Sequence, residues 1–322
     1  MNISQKFNIK ITGHKDITFI DVDETHDTKL YLDPYVIQAL QDDFCTEAQK
    51  CISSFFSEVF NACRHHNLLR LQNLLNYASE PNETNLGMKR ISKYGKGSTS
   101  QSLIKRFTEF YQIISDNPNF LSDPLTACMY IKNFDKDHMS DLITNILRKM
   151  LYTFTIEQCM EWNIPLSNNE IFLGYYWDYD TQTWAKLYGP ALFFNNEQHI
   201  LLVPKHIVRS RYVFNVECYI KQYILKDLQK WHLDNNTDMC TKREYKNGTT
   251  KIFPPIIDEL YRQEIDNIPL KDYARIHSTN NISDEQQYIQ NIFRRIRKGY
   301  GALTDSQLDT IVYSKHIEKL SA

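Results

Sequence analysis

The stretch NEIFLGYYWDYDTQTWAKLYGPALFFNNEQHILLVP, residues 169–204, decides the fold. Its aromatic and β-branched residues alternate with small or polar ones and are broken by turn formers, a period of two rather than 3.6. The spacing predicts strands near residues 170–177, 183–188, 191–194 and 198–203, with a hairpin turning at Asn195 and Asn196. A central antiparallel sheet is the expected result.

On both sides the period changes. From about Thr46, the residues Ile52, Phe55, Phe56, Val59, Phe60 and Cys63 recur at helical spacing and form one apolar stripe. A second helix is expected over residues 68–77. Helical spacing returns at Leu103, Ile104, Phe107, Phe110, Tyr111 and Ile114, and DNPNFLSDP (116–124) breaks it. A shorter helix is expected through Leu125, Cys128, Met129 and Ile131. The longest helical signal covers residues 133–162, and helices resume near Asn215. Before all of these, KFNIKITGHKDITFIDVDETHDTKLYLDPYVIQAL (6–40) reads as two or three strands, the last ended by Asp33-Pro34. The expected class is α+β, predominantly helical, with an N-terminal strand group and a central antiparallel sheet at about 170–203. A polar segment, residues 234–251, separates an expected main domain, 1–235, from a helical C-terminal region, 250–322.

The chain has 322 residues and 42% hydrophobic composition, enough for a real core. The net charge of −2 supplies no global field for nucleic acid, so any such binding must be local. The seven cysteines are odd in number and form no CxxC, against a disulfide scaffold or zinc ribbon. Cys63, His65 and His66 cluster, but no second ligand pair stands at metal spacing. Neither a GxSxG elbow nor a Cys/His nucleophile pair is recognisable, and His206 reads as a structural residue at a strand end. With no signal-peptide pattern and no apolar run of membrane length, the expected setting is cytoplasmic, with no membrane partner.

Residues 81–106, PNETNLGMKRISKYGKGSTSQSLIKR, hold three of the nine glycines and one acid, Glu83. GKGSTS is not a P-loop, because Gly97 follows Lys96 and Arg90 stands where the upstream glycine belongs. Bare amides of a Gly/Ser turn beside Lys89, Arg90, Lys93, Lys96 and Ser98 still attract a phosphate, the alternative being a solvated interhelical loop. Arg294, Arg295, Arg297 and Lys298 form a second basic patch, or a glycine-capped helix end. Asp21 and Asp23 share one strand face and would suit Mg²⁺ or Mn²⁺; the plain alternative is an edge strand entering an acidic turn. Asp137 and Asp141 share a helical face with Asn145. With Glu83 they make a candidate catalytic and metal-binding set, the plain alternative being a helix start favoured by the dipole. Glu244-Tyr245-Lys246 matches a nuclease ExK but lies in a polar, turn-rich segment.

DTKLYLDPYVI (27–37), PNETNLGMKRISKYGKG (81–97), DHMSDLITNILRKMLYTFTIEQC (137–159) and ILLVPKHIV (200–208), in this order, resemble a group of uncharacterised bacterial defence- or restriction-type proteins. In these proteins such a region precedes a PD-(D/E)XK-like nuclease domain. The tail SDEQQYIQNIFRRI (283–296) is compatible, but no later apolar strand with a catalytic Asp and Glu-x-Lys is evident. The resemblance implies an antiviral or nucleic-acid setting without supplying a nuclease site. The favoured expectation is a defence-type binding or sensing component that engages nucleic acid, another phosphate-bearing ligand or a partner protein through the basic loop. The alternatives are a metal-dependent nuclease or phosphodiesterase using Glu83, Asp137 and Asp141, and an oligomeric or complex subunit with its interface on the aromatic strands near 171–194.

Overall fold

A computed structural model describes residues 1–77, 81–87, 100–114, 127–194, 198–265, 267–280 and 282–320. The fold is α+β, with helices dominant and the strands gathered in short antiparallel pairs. The chain divides into two compact units: residues 1–113, 133–213 and 293–322 form the first, and 114–132 with 214–292 the second. The sequence reading separated 1–235 from 250–322; the chain changes unit after residues 113, 132, 213 and 292.

A short helix α1 (Ile3–Lys6) precedes a largely extended run that ends in β1 (Tyr31–Leu32) and α2 (Pro34–Ala39). Asp33 caps α2 by accepting from Tyr35 N at 2.9 Å, and Pro34 supplies a preset φ at the first helical position. The extended run does not build the strand group expected of it. Its amides and carbonyls pair singly with several partners: Ile20 N with Val203 O, Lys205 N with Thr18 O, Thr28 N with Asn85 O and Asp33 N with Ile207 O. It is therefore threaded between residues 81–87 and 201–209, and β1 makes the one two-residue ladder, with β6 (Val208–Arg209). β-branched alternation reports extended backbone; it does not say who pairs with it.

Asp42 caps α3 (Asp43–Arg64), whose predicted stripe is buried at Ile52, Phe55, Phe56, Val59 and Cys63. α4 (Leu68–Leu75) and α5 (Ser100–Ile114) follow, then α6 (Ala127–Tyr130) in the second unit. α7 (Lys136–Ile146) and α8 (Arg148–Glu161) are separated only by Leu147. The buried face of α8 includes Arg148, Thr155 and Gln158, and these polar heads serve extended backbone and its side chains: Thr155 Oγ1 accepts from Leu202 N and Gln158 Oε1 from Thr18 Oγ1, both at 2.8 Å.

The central segment forms the expected strands as two hairpins. β2 (Ile171–Asp178) pairs with β3 (Thr183–Gly189), and β4 (Leu192–Phe193) with β5 (His199–Ile200). Asn195 and Asn196 lie outside the described residues. A bulge between Phe172 and Tyr175 admits Gly174, at φ +103°, directly against the Arg148 guanidinium; a Cβ there would stand 2.9 Å from Arg148 Cζ.

In the second unit, α9 (Val216–Tyr219) runs through a π-turn at Ile220–Ile224 into α10 (Leu225–Asp234). The polar segment then forms a hairpin, β7 (Thr241–Glu244) with β8 (Thr250–Phe253), where Arg243 and Lys251 both lie over the Phe253 ring. α11 (Ile257–Ile265), α12 (Leu270–Asn280) and α13 (Ile282–Arg297) follow, and α13 passes into the first unit at residue 293, ahead of α14 (Asp305–Leu320). The second unit's core is rich in tyrosine: Tyr130 and Tyr219 both hydrogen-bond Ser278 Oγ, and Tyr219 packs on Tyr288 at 5.3 Å.

Asp227 of α10 and Asp284 of α13 share a carboxyl–carboxylate hydrogen bond. Burial, and then this neighbour, push Asp284 up to about 6. The native state thus holds a proton that the unfolded chain has released, so stability falls as pH rises from about 4 to about 6 and stays reduced above. Asp284→Asn should remove this slope. Its gain in stability at about pH 7.5 should be about 1 kcal/mol, the site being largely solvated, and it should vanish near pH 4 in urea melts.

Candidate functional site

The structure distributes the sequence-predicted residues. Lys89, Arg90, Lys93, Lys96 and Ser98 lie outside the described residues. In the C-terminal patch, Arg297 Nε donates to Ala39 O at 2.9 Å and so closes the end of α2, while the Arg295 guanidinium stacks on Tyr300 at 3.6 Å. Arg294 is exposed. Asp21 is fully buried and accepts from Ser4 N at 2.8 Å and Tyr313 Oη at 2.9 Å, a structural anchor. Glu244, Tyr245 and Lys246 sit at the tip of the exposed β7–β8 hairpin.

Asp137 and Asp141 do share a face of α7, and both raise the Tyr31 phenol, after burial. Glu83 does not join them as a ligand. Its Oε1 accepts from Arg148 Nη1 at 2.9 Å, and Arg148 Nη2 donates to Asn145 Oδ1 at 2.7 Å. Among the described residues, the three metal-ligand atoms that gather within 4.8 Å belong instead to Asp42, Cys45 and His206. The guanidinium thus takes the place of the metal expected between Glu83 and the α7 face. Cys45 Sγ lies 3.8 Å from His206 Nε2, a proximity between residues 161 apart that the sequence reading did not pair.

Among the described residues a concavity lies in the first unit, between the start of α3, the exposed side of α8 and the end of β2. It encloses about 600 Å³, within the range of small-ligand sites. Its apolar lining combines five aromatics, Phe44, Phe154, Tyr176, Trp177 and Tyr179, with Cys51, Ile146 and Met150. Around them stand five carboxylates, Asp43, Glu47, Glu157, Asp178 and Asp180, against one ammonium, Lys149.

Local structure places each group. The Asp42 cap starts α3 so that Asp43 and Glu47, one turn apart, face the same side. Glu47 Oε1 accepts from Tyr179 Oη at 2.7 Å and Oε2 from Lys50 Nζ at 2.8 Å. These bonds hold its carboxyl below the usual range, and the bond to Glu47 pushes the Tyr179 phenol up to about 12. Trp177 is 2% exposed and donates from Nε1 to Ser54 Oγ at 3.3 Å. Lys149 Nζ lies 5.0 Å from the centre of the Tyr176 ring, an ammonium already resting on an aromatic face. The density of aromatics in YYWDY was legible; the carboxylates around it, Asp178 and Asp180 and those on α3 and α8, were not singled out.

Residues 8–215, about two thirds of the chain, match a family model described as a domain of unknown function, DUF8370. No curated protein and no solved structure matches the chain. Among the described residues no helix is long and apolar enough to cross a membrane. With every residue of the cleft between 43 and 180, inside the matched span, the chain belongs to the DUF8370 family and carries the cleft within its family domain.

Proposed function

We propose that this chain is a binding or sensing module of the defence type its resemblance implies, and that its cleft takes an organic cation. The reading is carried by one observation: Lys149 places its ammonium over Tyr176 inside a cleft where carboxylates outnumber ammonium groups five to one. Aromatic faces and nearby carboxylates stabilise a poorly hydrated cation, each face contributing about 0.5–2 kcal/mol. The same carboxylates repel a phosphate, so an anionic ligand must engage the chain elsewhere. The segment 137–159, which carries part of the resemblance, supplies the α8 side of the cleft through Lys149, Met150, Phe154 and Glu157.

The test is calorimetric titration with spermidine and a trimethyllysine peptide, with a single-stranded oligonucleotide as the anionic comparison. Binding of the cations is expected to weaken about tenfold in Tyr176→Leu and in Glu47→Gln combined with Asp178→Asn. Lys149→Ala should bind more tightly, since it vacates a ring face and removes a like charge. Oligonucleotide binding that falls with these same substitutions, or cation binding indifferent to them, would sink the reading.

A further inference from the structure

Beside this cleft, at the start of α3, lies a second constellation that the cation reading does not use. Cys45 Sγ stands 3.8 Å from His206 Nε2, and Asp42 Oδ1 stands 3.5 Å from the same nitrogen. All three ligand atoms fall within 4.8 Å of one another. Because one imidazole nitrogen faces both partners, the set cannot relay a proton from thiol through imidazole to carboxylate, which needs the two ring nitrogens on opposite sides. Three donors converging on a common point are instead the arrangement of a metal centre. With zinc–ligand distances of about 2.0–2.3 Å, a tetrahedral site has edges of about 3.4–3.6 Å. The two separations from His206 Nε2, 3.8 Å to Cys45 Sγ and 3.5 Å to Asp42 Oδ1, lie within a few tenths of an ångström of those edges.

We propose that Asp42, Cys45 and His206 form a binding site for a thiophilic divalent ion of the zinc type, with a fourth position open to water. The donor set of thiolate, imidazole and carboxylate selects such an ion over Mg²⁺ or Ca²⁺, which take oxygen ligands. The ligands are held on rigid supports. Asp42 and Cys45 are fixed by the first turn of α3, where Cys45 N donates to Asp42 Oδ1 at 3.0 Å. His206 lies in the 3₁₀ turn Lys205–Ile207, whose carbonyls accept from Arg209 Nη1 at His206 and from Asp33 N at Ile207. The His206 ring meets the edge of Phe44, a cleft residue, at 6.3 Å. Cys45 is fully buried while Asp42 and His206 are exposed, so the ion would enter from the solvent side and meet the thiol last. Binding breaks the Sγ–H bond, forms an S–metal bond and releases the proton to solvent, so affinity should climb with pH.

The experiment uses the full chain, stripped with a chelator and titrated with Co²⁺ as a spectroscopic stand-in for Zn²⁺. The expected result is one equivalent bound, with a thiolate-to-cobalt charge-transfer band that Zn²⁺ abolishes, and a melting temperature raised by Zn²⁺. Cys45→Ser should lose the band. Asp42→Asn, which keeps the helix cap, and the exposed His206→Gln should each weaken binding at least about tenfold. The proposal falls if no ion is retained after gel filtration. It falls equally if the band survives in Cys45→Ser or the affinity is unchanged in His206→Gln, because Cys218 or Cys240 would then be the thiol observed. Should Cys45→Ser not fold, the His206→Gln and Asp42→Asn affinities decide it.

Discussion

Arg148→Met is expected to lower stability by about 3–5 kcal/mol, read as a shift of the urea midpoint, because it removes the buried cationic partner of a part-buried ion pair that also binds a strand carbonyl. Arg148 is 5% exposed although it begins a helix. Its Nη1 donates to Glu83 Oε1 and to Leu173 O, both at 2.9 Å, and its Nη2 to Asn145 Oδ1 at 2.7 Å. One side chain therefore joins residues 81–87, the end of α7 and the bulge of β2. Methionine fills similar space but offers no donor, so a carboxylate and a strand carbonyl lose theirs together. In the native protein His199 Nε2 is 3.8 Å from Glu83 Oε1, and burial holds its ring below the ordinary histidine range. Adding Glu83→Gln to Arg148→Met should recover more than about 1 kcal/mol, since the unpaired charge is then gone. Independent, additive costs would show that the two side chains do not act as a pair. Gly174→Ala belongs to the same argument: its Cβ would meet the guanidinium at 2.9 Å on a backbone with φ +103°.

Much of the fold was legible because local chemistry specified it. The α3 stripe from Ile52 to Cys63 and the strands of the first hairpin followed from period alone, and the helix period dictates burial whatever the neighbour. The N-terminal run was legible as extended, but its scattered pairing was not, since its partners, Asn85, Val203 and Ile207, are far away in sequence. The β7–β8 hairpin was hidden in polar composition. Its strands are held by the Asn247-Gly248 turn, with Gly248 at φ +78°, and by cations over Phe253, not by a buried face.

The site was less legible for a related reason. Asp137 and Asp141 were rightly placed on one face, but what Glu83 meets depends on the rotation of α8, which brings a charged residue inward where periodicity assigns it to solvent. Asp42 and Cys45 are three residues apart and could be paired by helix geometry. His206 is fixed only by the tertiary path of residues 200–209, and no spacing rule connects it to α3.

Trp177→Ala should cost about 3–5 kcal/mol and also abolish cation binding in the cleft, and the pairing of these two losses is what gives the substitution its value. The indole meets Phe55 edge-on at 5.2 Å and its cross-strand partner Trp184 at 5.8 Å. It thereby couples the α3 stripe to the first hairpin while forming part of the cleft wall. Removing it deletes a buried aromatic and lets the Tyr176–Asp180 segment shift against Glu47 and Lys149, so the aromatic face and the carboxylates no longer converge. Trp184→Ala is the control. Trp184 belongs to the same aromatic cluster, meets Phe55 at 5.6 Å and donates to Leu74 O, but does not line the cleft. It should lower the urea midpoint while leaving the affinity of the folded protein for spermidine within about threefold. If both alanine variants lose affinity in proportion to stability, the cleft is only a seam of the core. If Trp177→Ala alone loses it at temperatures where both are folded, the wall it builds is a binding surface.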